Sequence, residues 1–497
     1  MEYTDIFNIL RSFSGREMIL FTEYLNSPYF NKSSKKIKFF SYVKQFYPLF
    51  TDERLNRDVI YKKLYPEKKY NDSTLRNFFS ELHHDLLNFL ATENFINDKA
   101  GKYKYLLHEL TNKNLNEEWG NAIERFEEDL ESGTDYNYFL NKHLISGNKF
   151  NYNYLNEKIS RGKVLEEGIN HIDNSTLFLL YHYILEVTTN YLNVISYSRQ
   201  FNIAPENNFT SKVASLLDIQ KILTLTSTNE RNKFILEIYR ALLKMNSKPE
   251  NENLYFEYKK VFYNNIEKLS KDEISLHHSR LTGYCILKIQ NSEFPEKFSK
   301  ELFELYKTIL EKEYYKDNKT KYLLHEDFRN ILLHGIRMKE YGWVDEFIKT
   351  YSKKVHPNDR ENMNQYGNAY LNYNIGNYGK ALKFLKRINP NFLYYKFDVK
   401  NLTLMVYFEL GYYEEALYLI KTYLEFLRKN RLINPHRKKR YLSFVKFTEK
   451  LIHYRFGNSK HDFGYIRMRI AKHNKVAFKS WLMEKISLLE ADFGRAV

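Results

Sequence analysis

Apolar residues recur along this chain at three- and four-residue intervals almost from end to end, which is the period of a helix with one buried face. Ser14 and Glu17 stand at the spacing of a capping box. Met18, Ile19, Phe21 and Leu25 follow at helical positions, and Asn26-Ser27-Pro28 should end that helix. A second helix is predicted over 33–46, closed by Pro48, and a short one over 57–64 with Asn56 as its cap. Residues 66–71 read as a turn. Asp72 or Ser73 should then cap a long helix whose buried stripe is Leu75, Phe78, Phe79, Leu82, Leu86, Phe89 and Leu90. The exposed face of that helix is expected to carry Arg76, Glu81, His83, His84 and Asp85. The softest point lies at 92–102. From Tyr103 onward helix follows helix, joined by short turns of Asn, Lys and Ser, and no segment alternates as a strand does. The expectation is an all-α protein with more than about 70% helix, roughly twice the usual share. It divides into an N-terminal helical unit (1–95), a long helical array (103–430) and a C-terminal helical cap (431–497).

Within the array three segments align: Glu340-Tyr341-Gly342-Trp343-Val344-Asp345-Glu346-Phe347, Asn374-Ile375-Gly376-Asn377-Tyr378-Gly379-Lys380-Ala381, and Glu409-Leu410-Gly411-Tyr412-Tyr413-Glu414-Glu415-Ala416. Their glycines are 34 and 35 residues apart. Over 328–429 the chain thereby resembles the tetratricopeptide (TPR) family, a repeat of helix–turn–helix units. In that register Gly ends the first helix, an aromatic plugs the pair and a small residue admits close crossing. Gly335 and Ala369 fall at the family's other small position. Three features depart from the pattern. Phe347 stands where Ala is expected, Gly367-Asn368-Ala369-Tyr370 fits the first-helix motif only with a longer turn, and Pro390 arrives early. The resemblance implies a right-handed α-solenoid of stacked antiparallel helix pairs, to which the chain adds an N-terminal helical unit and a basic C-terminal helical cap. It also implies that Tyr366, Tyr370, Tyr373 and Asn374, with Asp398, Asn401, Met405 and Glu409, face the inner surface of the array. Tyrosine there would supply rigid contact area for a peptide or helix. The competing reading of the same tyrosines is inter-helix core. Residues 56–91 resemble, in outline, the winged-helix domain of bacterial activators, although the long helix presents a near-neutral rather than a positive face.

Composition narrows the classes. Aromatic residues make up 17% of the chain, with 43 Tyr and 37 Phe, which is ample core material and excludes intrinsic disorder. A mean hydropathy of −0.60 and the lack of a long apolar run exclude a membrane span. The start of the chain lacks the basic and apolar pattern of a signal peptide. A single cysteine, Cys285, excludes an internal disulfide and reads as a buried structural thiol, so the reducing cytoplasm is the expected compartment. No phosphate-binding loop, nucleophile elbow, calcium loop or zincin helix occurs. Adjacent histidines project about 100° apart on a helix, so His83-His84 and His277-His278 are poor chelators and read as surface residues. No catalytic or metal site and no cofactor is expected. The protein reads as a scaffold whose partner is another protein or a peptide.

Charge supplies the alternative, a nucleic-acid-binding or transcription-regulatory protein that uses the basic C-terminus, the N-terminal helices, or both. The chain carries 77 Lys and Arg against 61 Asp and Glu. Residues 431–497 hold 16 of the former and 5 of the latter, leaving only +5 for the rest. Asn434 and Pro435 are expected to start a helix. Arg437, Lys438, Lys439 and Arg440 then crowd its first turns, where the helix dipole disfavours cations. Folding gains nothing from them there, whereas an acidic partner or nucleic acid would meet both side chains and free amides. Arg467, Arg469 and Lys472 are candidates to extend this anion-binding surface. The other reading is a solvated basic end.

Overall fold

The structure is a computed structural model that describes residues 3–130, 134, 136–155, 162–200, 208–225, 232–291, 295–316, 321–389, 393–431, 433–455, 463–472 and 476–494. Among these it holds 24 α-helices, is 83% helical and has no strand. A β-bridge pairs Leu323 with Val355. No helix is long and apolar enough to cross a membrane among the described residues. The chain forms two compact units. One comprises 1–131 with 144–175, the other 132–143 with 176–497.

The first unit opens with α1 (Tyr3–Ser12), α2 (Gly15–Asn26), α3 (Ser34–Val43), α4 (Arg57–Leu64) and α5 (Asp72–Asn97). The capping box of α2 is closed: the Glu17 amide donates to Ser14 Oγ (3.2 Å) and the Ser14 amide to Glu17 Oε2 (2.6 Å). Asn56 caps α4 as expected, accepting from the Val59 amide at 2.9 Å. The cap of α5 is instead Asn71, which accepts from Thr74 at 3.0 Å. Being first outside the helix, Asn71 can reach back to the N3 amide, which Asp72 and Ser73 inside it cannot. Phe21 packs edge-on to Phe40 (4.8 Å) and against Phe89 (5.1 Å), so one aromatic cluster joins α2, α3 and α5. Two positions of α5 depart from expectation. Leu90 lies outside the core at 37% exposure, and Asp85 is buried, where Lys36 holds it at 2.6 Å. A buried carboxylate needs such a partner, and α3 supplies it. The helix–turn–helix outline of α4 and α5 is present, but no β-wing accompanies it among the described residues. The expected soft point at 92–102 is a tight joint, where Asp98 caps α6 (Lys99–Asn112) through the Gly101 amide (3.0 Å). With α7 (Asn116–Asp129) and the end of α8 (Tyr136–Leu155) this helix forms a second small core. There Trp119 stacks on Tyr152 at 3.9 Å.

The second unit contains the end of α9 (Gly162–Gln200), two short helices, α10 (Phe209–Ser215) and α11 (Ile219–Leu225), and then a run of helix pairs. In each pair two consecutive helices pack together: α12 (Lys233–Ser247) with α13 (Glu252–Tyr263), and α14 (Lys271–Asn291) with α15 (Glu296–Glu311). The next are α16 (His325–Arg337) with α17 (Tyr341–Tyr351), α18 (Arg360–Asn374) with α19 (Tyr378–Leu385), and α20 (Leu393–Glu409) with α21 (Tyr413–Lys429). Each second helix also packs on the first helix of the next pair. Then come α22 (Pro435–Arg455), α23 (Phe463–Lys472) and α24 (Lys479–Gly494), which share one core with α20 and α21.

The turns explain the glycine repeat and correct its register. Gly376 (φ +83°) and Gly411 (φ +72°) take the left-handed conformation that stops α18 and α20. In the preceding pair that position belongs to Lys339 (φ +61°), and Gly342 lies inside α17. The structural counterpart of Ala381 and Ala416 is therefore Val344, not Phe347; all three are fully buried. Close approach is real elsewhere. A Cβ on Gly335 would stand 2.8 Å from Val344, and one on Gly367 2.8 Å from Ile348. Pro390 lies outside the described residues.

Candidate functional site

The first helices of the last pairs are tied by one buried carboxylate. Asp398 of α20 receives a bidentate bond from Arg329 of α16, through Nε and through Nη2 (2.9 Å), and a third bond from the Tyr366 hydroxyl of α18 (2.8 Å). Burial works against the charge on Arg329, but Asp398 and the neighbouring tyrosines override it and hold the guanidinium ionised. The sequence gives no local sign of this pair, whose members are 69 residues apart.

Beside it lies a cleft of about 440 Å³ lined by α9, α14 and α16, with Tyr395 from α20 and Arg437 from α22. Three arginines, Arg280, Arg329 and Arg437, share it with Glu326, Asp327 and Tyr306. Arg280 donates through Nη2 to Asn193 (2.9 Å), while its buried Nε makes no hydrogen bond. Desolvation pulls its pKa down, so an anion at that nitrogen would relieve an electrostatic cost. A second hollow of about 450 Å³ shares Ser279, Thr282, Tyr306, Leu324 and Asp327 with the first. Asp327 thus stands where the two meet. Its carboxyl opens to solvent yet is surrounded by protein. Desolvation, and then the Glu326 carboxylate, raise its pKa to about 6.

The α14 wall is stiffened from behind. Tyr239 donates to Glu273 (3.2 Å), Glu273 stands 3.1 Å from His277 Nε2, and the Tyr258 hydroxyl bonds His277 Nδ1 (2.8 Å). His278 meets Tyr263 at 3.1 Å and the Ile274 carbonyl at 2.8 Å. Both histidines are buried, contrary to the surface reading: Tyr258 and Tyr263 of α13 each bond one ring nitrogen, and Glu273 and the Ile274 carbonyl lie against the other two. Desolvation drives the His278 pKa down to about 4, so that ring is neutral near pH 7. Cys285 is buried, and desolvation lifts its thiol to about 12. No group of three or more His, Cys, Asp or Glu poised for a metal ion occurs among the described residues.

The residues singled out in the sequence divide between core and surface. Tyr366 and Asn401 are fully buried, the latter accepting from Tyr423 at 2.9 Å, and Met405 is 7% exposed in the C-terminal core. These three hold the pairs together. Tyr370, Tyr373 and Asn374 are half-buried. Tyr370 points to the Asp398 carbonyl (3.5 Å), Tyr373 packs on Tyr378 (5.5 Å), and Asn374 donates to the Tyr370 carbonyl (2.8 Å).

In the basic cluster Asn434 caps α22 as expected, accepting from the His436 amide at 2.9 Å. Arg437 reaches the cleft, while Lys439 and Arg440 are exposed. Lys438 corrects the expectation that folding gains nothing from the cluster. It donates to the carbonyls of Arg428 (3.0 Å) and Asn430 (3.1 Å), so it satisfies the end of α21. Arg467 is ion-paired with Glu490, Arg469 lies over the Tyr465 ring at 5.6 Å, and Lys472 is exposed. Sequence reasoning missed Arg280, Asp327 and Arg329. Each sits in a helix whose local pattern is ordinary.

Neither a protein-family model, nor a curated protein, nor a solved structure matches this chain.

Proposed function

We propose that the protein is a non-enzymatic binding scaffold: a TPR-like, right-handed solenoid of helix pairs that holds a peptide segment in the cleft beside α14 and α16. The observation that carries this reading is the meeting of Arg280, Arg329 and Arg437 with Tyr306 and Tyr395 around one open volume of about 440 Å³. Arginine and tyrosine together suit recognition, because they supply directed donors and rigid apolar area at low entropic cost. The preferred segment carries at least one acidic side chain for Arg280 or Arg437, and a donor for Glu326.

Selection from a random peptide library on the immobilised full chain tests this. Enriched peptides should be acidic, and Arg437→Gln should weaken them about tenfold or more, the equivalent of one charge-assisted bond. Lys421→Gln, an exposed change on α21, should have no effect. Failure to enrich any sequence, or equal binding by both variants, would overturn the proposal.

A pH dependence follows from Asp327. Protonation through about pH 6 removes a negative charge from the cleft. Affinity for an acidic peptide should therefore rise as pH falls from about 7 to 5. Titration calorimetry should show this for the parent protein, and Asp327→Asn should flatten the profile at the higher affinity. A profile unchanged by that substitution would assign the effect elsewhere.

A further inference from the structure

The largest unclaimed charge lies in the first unit. Residues 31–70 contain 11 Lys and Arg against 4 Asp and Glu, so the remainder of the first 430 residues is slightly acidic. The structure neutralises part of this set. Lys36 pairs with Asp85, Arg54 with Asp52 and Arg57 with Asp72. Lys35, Lys38, Lys62, Lys63, Lys68 and Lys69 are exposed and make no ion pair among the described residues.

Contacts between α3 and α4 bring Lys35 and Lys63 to one face. Lys35 Nζ stands 4.3 Å over the ring of Tyr65, beyond the end of α4, and Lys63 Nζ stands 3.8 Å over Tyr42 of α3. Lys38 falls between Lys35 and Tyr42 at helical spacing, and Lys62 projects about 100° around α4 from Lys63, at the edge of the face. The Lys68 amide bonds the Tyr65 carbonyl (3.1 Å), which folds the basic turn back onto α4. Ring faces thus hold two ammonium groups in place without cancelling their charge. The acidic groups nearby are Asp58, one turn before Lys62 on α4, Glu67, in the basic turn, and Glu81, which stands 3.5 Å from Lys36.

We propose that this α3–α4 face binds the phosphodiester backbone of nucleic acid without reading sequence. The face has charge but no apolar centre: no large aliphatic side chain of α3 or α4 is exposed. A protein partner needs a desolvated apolar core at its interface, and a membrane surface needs groups that insert. A polyphosphate needs neither; released counterions drive its binding to ammonium groups. This site is independent of the peptide cleft, which lies in the other unit.

The test uses the full chain, labelled duplex DNA and labelled single-stranded RNA of equal length, and fluorescence anisotropy between about 50 and 200 mM salt. The parent protein should bind at low salt. Changing Lys35, Lys38, Lys62 and Lys63 together to Ser should weaken binding about tenfold or more, and lower the slope of log affinity against log salt on duplex by about 3 to 4. A second variant, with Lys62, Lys68 and Lys69 changed to Ser, touches neither cation–ring contact and keeps the test open if the first misfolds. The duplex and single-strand arms show which form of the backbone is held. The proposal is overturned if both variants bind like the parent, or if changing Lys439 and Arg440 to Ser abolishes binding instead. It is equally overturned if polyglutamate displaces the nucleic acid at equal charge, since an acidic protein would then be the better ligand.

Discussion

Asp398→Ala should cost about 3–5 kcal/mol, the largest stability loss expected of a single substitution here. The residue is 5% exposed and accepts from Arg329 and Tyr366, so its removal strands a guanidinium between α16 and α20 and orphans a buried hydroxyl. The pair itself need not be strongly stabilising, because desolvation offsets much of its attraction. Breaking one side is what costs. Arg329→Met combined with Asp398→Leu should therefore recover most of the loss. The readout is urea unfolding followed by tryptophan fluorescence. Trp343 and Trp481 lie in the second unit and Trp119 in the first, so a Trp119→Phe background isolates the relevant signal. A loss below about 1 kcal/mol would mean that solvent reaches Arg329 freely.

Ala416→Trp should cost about 2–4 kcal/mol by overpacking. Ala416 is fully buried in α21 within the core shared with α20 and α22, and its counterpart Ala381 in α19 is equally closed. A side chain of indole size has no room there without separating the helices. Ala416→Gly should cost only about 1 kcal/mol, through helix propensity. That contrast distinguishes crowding from a general intolerance of change. A denaturation midpoint that tryptophan leaves unmoved would place Ala416 at a yielding surface.

Local signals were legible in the sequence. Ser14, Glu17, Asn56, Asn434, Gly376 and Gly411 act within a few residues of themselves, and each does what its neighbourhood dictates. The register slip in the first repeat shows the limit. Lys339 adopts a left-handed turn that glycine usually marks, so aligning glycines misplaced that pair by three residues. His277 and His278 were misjudged because their burial depends on Tyr239, Tyr258 and Tyr263 in other helices. The candidate site was least legible. Tyr366 and Asn401 carry the polarity of a binding face but are consumed by Asp398 and Tyr423. Arg280 and Asp327 become notable only when α14 and α16 are brought together. Pairings across such separations leave no periodic trace.

Site-specific photo-crosslinking in the source cells reads out whether a partner occupies the cleft of the second unit. A photoreactive residue replaces Asn330, which lines the cleft, or Lys349, an exposed position of α17 outside it. Crosslinked species are then resolved in the parent and Arg437→Gln backgrounds. A discrete adduct is expected from position 330, absent from 349 and lost with Arg437→Gln. Adducts of equal yield from both positions, or an adduct at 330 indifferent to Arg437, would contradict occupancy of the cleft.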